Sequence, residues 1–402
     1  MSAPRKINYF LLALSVYLPT LFFVPHMFFV FTFSLYFLYF NKIYIEKYDY
    51  IIFIAVMIML LNILSSVPSV DLDKHLSSFA TPLIIAVMLY SRIINKNFAK
   101  WLIIFTLIES VVVIYEFISG QQYIFAAQTH GIDINTIDYS LSDMGNVILY
   151  QIRPLGLSSN SSSVAYKFFI GLLLFMEYYS NISIKYIVIV ILLLALGMIL
   201  TFNRSTIIAS LSFSLLIYIN NYFHQERKNK LLYLFVSLSI VLAAIWYKDE
   251  INELYYIQFS RGMDLMTNID TGRAAIWRSG LEFLKSNLFF GNNSLTFTIS
   301  SDITYDAVGH VHNSFLAMLG RNGIIISTLF FMYIILSVNR YNYIYILPIC
   351  IYSSLQYGIF WNVSYTDLIF YHYLAKGRWP SIIQSLPPKM SWSGNFGHPD
   401  TG

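Results

Sequence analysis

Two histidines, His310 and His312, stand two residues apart in the stretch GHVHNSFLAML, in a 402-residue chain that holds only 8 histidines. A neutral imidazole beside a hydroxyl can take its proton, which is the work of a general base. Asn313 and Ser314 follow, and either can cap a helix that begins near Asn313. Residues two apart on a helix point about 200° from each other, so the two imidazoles share a face only in an extended approach segment. His312 would sit at the positive end of the new helix, where the dipole and nearby arginines favour the neutral ring a base requires. A metal site is the competing reading. Its ligand set is thin: the nearby acids are Asp302 and Asp306, and no second histidine follows at i+4.

A second group is cationic. Arg153 lies in QIRPLGLSSNSSSVA, Arg204 in LTFNRSTII, and Arg273 and Arg278 in DTGRAAIWRSGLEFLKS, with Arg261 a little upstream. Guanidinium presents a planar fork that matches phosphate or carboxylate. Each also has a plainer reading. Arg204 can snorkel to lipid headgroups from the end of an apolar run. Arg273 and Arg278 fit an interfacial amphipathic helix capped by Thr271, with Ala274, Trp277, Leu281 and Leu284 as its apolar stripe. Arg153 precedes a Pro-x-Gly turn and a Ser/Asn run that feed a helix start.

The elements that must position these residues are set by composition. The chain is 57% hydrophobic and 11% charged, against about 25% charge in a soluble domain. The apolar residues come in bilayer-length blocks, so the expected fold class is all-α, a polytopic bundle of about 11–12 membrane helices. The blocks are 8–24, 27–41, 49–67, 76–91, 101–118, 162–180, 184–202, 205–221, 231–247, 313–338 and 342–361, with a shorter one at 364–375. Arg5 and Lys6 precede the first, which reads as a retained helix rather than a cleaved signal. With the N-terminus in the cytoplasm, alternate connections carry Lys42 and Lys47, then Arg92, Lys96 and Lys100, then Lys185, then Arg227, Lys228 and Lys230, then Arg340, then Lys376 and Arg378. The arginines named above fall on the opposite side, as do two long loops at about 119–161 and 248–312. Residues 1–376 therefore read as one membrane domain, and the Pro-, Gly- and Ser-rich 377–402 as a mobile tail. The single cysteine, Cys350, excludes an intrachain disulfide and a thiolate metal site. The DLD at 71–73 is a short acidic turn that reads as solvated.

Taken in order, RPLG with Asn160, FNRS at Arg204, TGRAAIW with LFFGNN, and HVHNSFLAMLGRNG resemble the O-antigen polymerase and ligase superfamily. These motifs cover about 150–335. The sequence departs from the family after the first motif, where SSNSSS replaces an asparagine–proline–asparagine type of turn, and at the C-terminal end. The resemblance implies a multi-pass glycosyltransferase of the bacterial inner membrane with its active site facing the periplasm. Donor and acceptor would be glycans on undecaprenyl diphosphate, and the reaction would be inverting, independent of metal and without cofactor. The family's essential residues match Arg204, Arg273 and His312, with His312 as general base. Arg153, Arg278, His310 and Asn313 are the expected binders of substrate and diphosphate.

Within that resemblance three activities stay open. A polymerase would join lipid-linked repeat units, and a ligase would transfer the lipid-linked glycan to the lipid A core. A transporter or flippase would move the same lipids; it would need polar residues near mid-membrane, whereas the arginines and histidines collect at the outer rim. The polymerase is the reading adopted, with the ligase as alternative. The expected surroundings are the bilayer, a chain-length regulator and other polysaccharide-export proteins, and no nucleic acid.

Overall fold

The apolar blocks fold largely as helices where the chain is described. The computed structural model describes residues 8–18, parts of 50–61, 94–119, 154–158, 161–179, 182–201, 203–224, 273–286, 288–291, 296–301, 304–359 and 365–376. The expected blocks at 27–41, 76–91 and 231–247, the DLD turn and the tail lie outside these residues, and 49–67 is covered only in part.

Helix α1 spans Tyr9–Tyr17, α2 Lys96–Ser119, α3 Ser161–Tyr179, α4 Ile184–Leu200 and α5 Arg204–His224. They are followed by α6 at Arg273–Ser286, a hairpin of β1 at Thr296–Ser301 and β2 at Thr304–His310, then α7 at Ser314–Ser337, α8 at Tyr343–Leu355 and α9 at Tyr365–Lys376. The all-α expectation describes the body and is corrected between α6 and α7. There Thr296, Phe297, Thr298 and Ile299 alternate polar and apolar, and β1 and β2 pair antiparallel from Thr296↔His310 to Ser301↔Thr304.

In the body, α2 packs on α1, α3 and α4, while α5 packs on α8 and α3. Helix α9 lies against α3, α7 and α8, and its Leu368, Ile369, Phe370, Tyr371, Tyr373 and Leu374 are all buried. Thr366, Asp367 and His372 are buried with them, so the helix is enclosed on every side within the bundle. At 1.5 Å per residue its twelve residues reach only about 18 Å, short of the ~30 Å hydrocarbon core, so enclosure by its neighbours is what lets it be short.

Among the described residues, α2 and α7 are long and apolar enough to cross a membrane, and α4, α5 and α8 are shorter apolar helices. Their outward faces stay apolar: Ile184, Val188, Leu192 and Ile199 on α4 and Leu211 and Leu215 on α5 are exposed. Soluble proteins avoid continuous apolar patches of that kind, so this exterior suits a bilayer.

Two blocks differ from the sequence expectation in ways that matter to the site. The block 342–361 stops being helical at Leu355, because Gln356 turns extended and 356–359 folds back onto the start of α7. The block 313–338 is interrupted at Gly323, whose φ of 71° and ψ of 178° are not helical.

Candidate active site

The start of α7 is built from its own caps. Asn313 is extended, and its Oδ1 accepts from the backbone N–H groups of Phe315 at 3.0 Å and Leu316 at 3.1 Å. This confirms the helix start anticipated at Asn313 and places the Asn313 side-chain oxygen on the cap. Ser314 ties the same turn to the returning segment after α8. Its Oγ donates to the Gln356 carbonyl at 3.1 Å and accepts from Gly358 N–H at 2.9 Å and Ile359 N–H at 3.2 Å.

His312 stands just before the cap, exposed, with a φ of 48°. It is the one non-glycine with positive φ among the described residues. Such a conformation persists only where the surroundings hold it. Here β2 ends at His310, Asn313 caps α7, and the Tyr357 ring lies 5.6 Å from the imidazole. His312 Nδ1 lies 3.3 Å from Gln356 Oε1. With the amide oriented so that its oxygen faces the ring, Nδ1–H donates and the basic lone pair belongs to Nε2. His310 pairs with Thr296 as the last residue of β2, so the two histidines are divided between a strand and a left-handed turn.

Helix α6 is docked beside this turn. Trp277 Nε1–H donates to the Val311 carbonyl at 2.9 Å, and Val311 is buried against Trp277, Phe283 and Leu316. The amphipathic reading of 273–286 holds in part: Trp277, Gly280 and Leu284 turn inward, but Leu281 is half exposed and lies off that side. Arg273 opens α6 and Arg278 lies one residue past Trp277, so the backbone brings both to the element that touches residue 311.

A second contact locks the far end of α6 to α7. The turn at 288–291 inserts its backbone into the interruption of α7, with Ile324 N–H donating to Leu288 O at 2.8 Å and Ile325 N–H to Phe289 O at 3.4 Å. The fit requires two glycines facing one another. A Cβ on Gly323 would collide with the Phe289 carbonyl, and one on Gly291 with the Arg321 carbonyl. The LFFGNN and GRNG stretches are thus two halves of one joint.

Arg204 is the first residue of α5 and is partly buried. Asn203 precedes it, its Oδ1 accepting from Thr206 N–H and Thr206 Oγ–H, both at 2.9 Å. The cap fixes where α5 begins, and so where the backbone of Arg204 sits. Arg153 and Arg261 lie outside the described residues, although the turn that follows Arg153 is described. The structure therefore brings together α6, His312 and the 356–359 return. Gln356 was not singled out by the sequence reading, and Trp277 and Ser314 were read only as an apolar-stripe member and a cap, not as links between α6, the histidine turn and the 356–359 return. An indole in an apolar stripe looks like core, and Gln356 sits inside what reads as a continuous apolar block.

Comparison with known families bears on the same region. A family model described as O-antigen ligase matches residues 188–331, which run from α4 through Arg204, α6, the hairpin and His312 into α7. Neither a curated protein nor a solved structure matches the chain. The matched segment, which holds the glycine joint and the histidine turn described above, is thus similar to the O-antigen ligase family.

Proposed function

We propose that this protein is a multi-pass glycosyltransferase of the inner membrane that polymerises undecaprenyl-diphosphate-linked repeat units at the periplasmic face. The observation that carries the reading is the His312 turn, with Nδ1 on Gln356 and α6 docked alongside through Trp277. In the proposed step a hydroxyl of the acceptor sugar attacks the anomeric carbon of the donor glycan from the face opposite the leaving group. The new C–O bond forms as the C–O bond to the lipid diphosphate breaks. His312 Nε2 takes the hydroxyl proton, and the electron pair leaves on the diphosphate. Arg204 and Arg273 stabilise the charge that develops there, supported by Arg153, Arg278 and His310, and Asn313 holds the histidine turn. Fixed guanidinium groups supply this without a metal ion. A membrane domain over 1–376, with eleven or twelve spans and a cytoplasmic N-terminus, puts all of these groups on the outer side.

The ligase reading stays as alternative because the matching family model carries that description. A deletion strain separates the two. Core plus one repeat unit on a lipopolysaccharide gel indicates a polymerase. Core without repeats, together with accumulated lipid-linked chains, indicates a ligase, and an unchanged ladder overturns both. For the site, His312→Gly is the informative variant. Glycine accepts the positive φ, so folding should change by about 1 kcal/mol at most while activity is lost. Full activity would remove His312 as the base, and activity lost with EDTA and restored by a divalent ion would overturn the metal-free step.

A further inference from the structure

Helix α7 changes character at its interruption. From Ser314 to Gly323 none of its residues is exposed. From Ile324 onward an outward stripe opens: Ile324, Ile325, Thr328, Met332, Ile335 and Leu336 are all exposed, at spacings of three and four. On a helix long and apolar enough to cross a membrane, that stripe is the side that meets lipid.

Along the first part of α7 the neighbour is α6, and its contacts move down α7 in step. Trp277 Nε1–H donates to the Val311 carbonyl. Phe283 packs on Val311 and lies 3.8 Å from where a Cβ on Gly320 would stand. The Leu288 and Phe289 carbonyls accept from Ile324 and Ile325 N–H. The helix therefore descends beside α7 instead of lying flat across it, and its exposed side changes on the way. Glu282 and Lys285 are exposed in its later turns. Three residues past Lys285, the side chains of Leu288, Phe289 and Phe290 are 43%, 61% and 51% exposed, although the backbone of their turn is held against α7. This apolar patch stands at the level where the α7 stripe begins.

The length of α7 sets the depth of the patch. From Ile324 to Ser337 the helix rises about 20 Å, so with its far end at one boundary of a ~30 Å hydrocarbon core the turn lies about 10 Å inside the other. Amphipathic helices bury their apolar side chains to about 5–10 Å. Lys285, about 5 Å higher along α6, can carry its ammonium to headgroup phosphates while its stem stays in the apolar layer. We propose that Leu288, Phe289 and Phe290 are a lipid anchor, inserted in the leaflet on the His312 side with Lys285 at its headgroups. The partner is the acyl layer of the bilayer, because the patch continues the lipid-facing stripe of α7. The anchor sets the depth of α6, whose Trp277 supports the histidine turn, and so holds that turn at the membrane surface. It rests on α7 spanning the bilayer and stands independently of the glycosyl transfer.

The test puts one spin label at a time on the full-length protein, in a Cys350→Ser background, in vesicles of phosphatidylethanolamine and phosphatidylglycerol. The sites are Leu281→Cys, Phe289→Cys and, as a lipid-facing reference, Ile335→Cys, whose native side chain is 71% exposed. Collisions with dissolved oxygen and with a water-soluble nickel chelate give the depth of each label. The label at 289 should favour oxygen and lie about 5–10 Å below the phosphates, with the label at 281 about 10 Å nearer the water. The same measurement on Phe290→Cys, with Phe289 intact, should give the same depth, so one variant that fails to fold does not decide the result. Labels at 289 and 290 that meet the nickel chelate as readily as oxygen would put the turn in water. Labels reached by neither would put protein over it, and equal depths at 281 and 289 would lay α6 flat. Each of these results would overturn the anchor, as would a label at 335 without an oxygen preference, since α7 would then not face lipid.

Discussion

Two glycines three residues apart on α7, Gly320 and Gly323, should respond in opposite ways to the same substitution. At Gly323 an alanine meets two obstacles. Its φ of 71° with ψ of 178° is a region that only glycine enters readily, which costs about 1–3 kcal/mol for an L residue. Its Cβ would also strike the Phe289 carbonyl, a backbone group that cannot rotate aside. The 288–291 turn must then withdraw, breaking the 2.8 Å bond from Ile324 N–H to Leu288 O, worth about 0.5–1.5 kcal/mol. The sum is about 1.5–4.5 kcal/mol, enough to loosen α6 from α7. At Gly320 the nearest atom to an added Cβ is Phe283 Cε1 at 3.8 Å, an ordinary contact. Alanine there should be neutral or stabilise by up to about 1 kcal/mol through its helix propensity. The assay is thermal unfolding in detergent beside the lipopolysaccharide ladder of complemented cells. Gly323→Ala should lower the midpoint and erase the ladder while Gly320→Ala preserves both. Equal behaviour of the two variants would refute the joint.

Other substitutions test the neighbouring supports. Trp277→Phe keeps the ring but removes the donor to Val311 O, and should lose about 1–2 kcal/mol in detergent unfolding and about tenfold in turnover. Lys167→Met leaves the Glu109 carboxylate buried without its cation and should destabilise by about 3–5 kcal/mol. Adding Glu109→Gln removes the stranded charge and should recover most of that loss, as read by the same unfolding midpoint.

Much of the α7 and α6 framework was legible in the sequence because its signals are local. Asn313 and Ser314 read as caps because short polar side chains reach the first free N–H groups, and Asn313 does so. The periodic 273–286 stretch is a helix, and the misplaced member of its stripe, Leu281, shows that the period fixes an element better than its buried side. The rest was not legible because it depends on contacts distant in sequence. A Gly-Arg-Asn-Gly inside an apolar block reads as continuous helix until Phe289 is known to face Gly323. The return at Gln356 is invisible for the same reason, since its partner Ser314 lies 42 residues away. Glu109, Glu116 and Lys167 were absorbed into apolar blocks because averaging over a window dilutes single charges.

Those three irregularities share a logic that bears on the site. In a bilayer, backbone that leaves the helix must have its polar groups received by protein or line a wet cavity. The 154–158 turn is received by Glu109 and Glu116, the interruption of α7 by the Leu288 and Phe289 carbonyls, and the 356–359 return by Ser314. Each one borders a residue whose chemistry the sequence had already marked: Arg153 before the first, α6 with Arg273 and Arg278 at the second, His312 at the third. A bundle built only to span lipid has no use for such interruptions, and α4, whose described length is continuous helix, shows none. Their alignment with the cationic and basic residues is what a bundle requires if it must open a polar cleft beside an apolar tail without exposing a single unpaired amide to lipid.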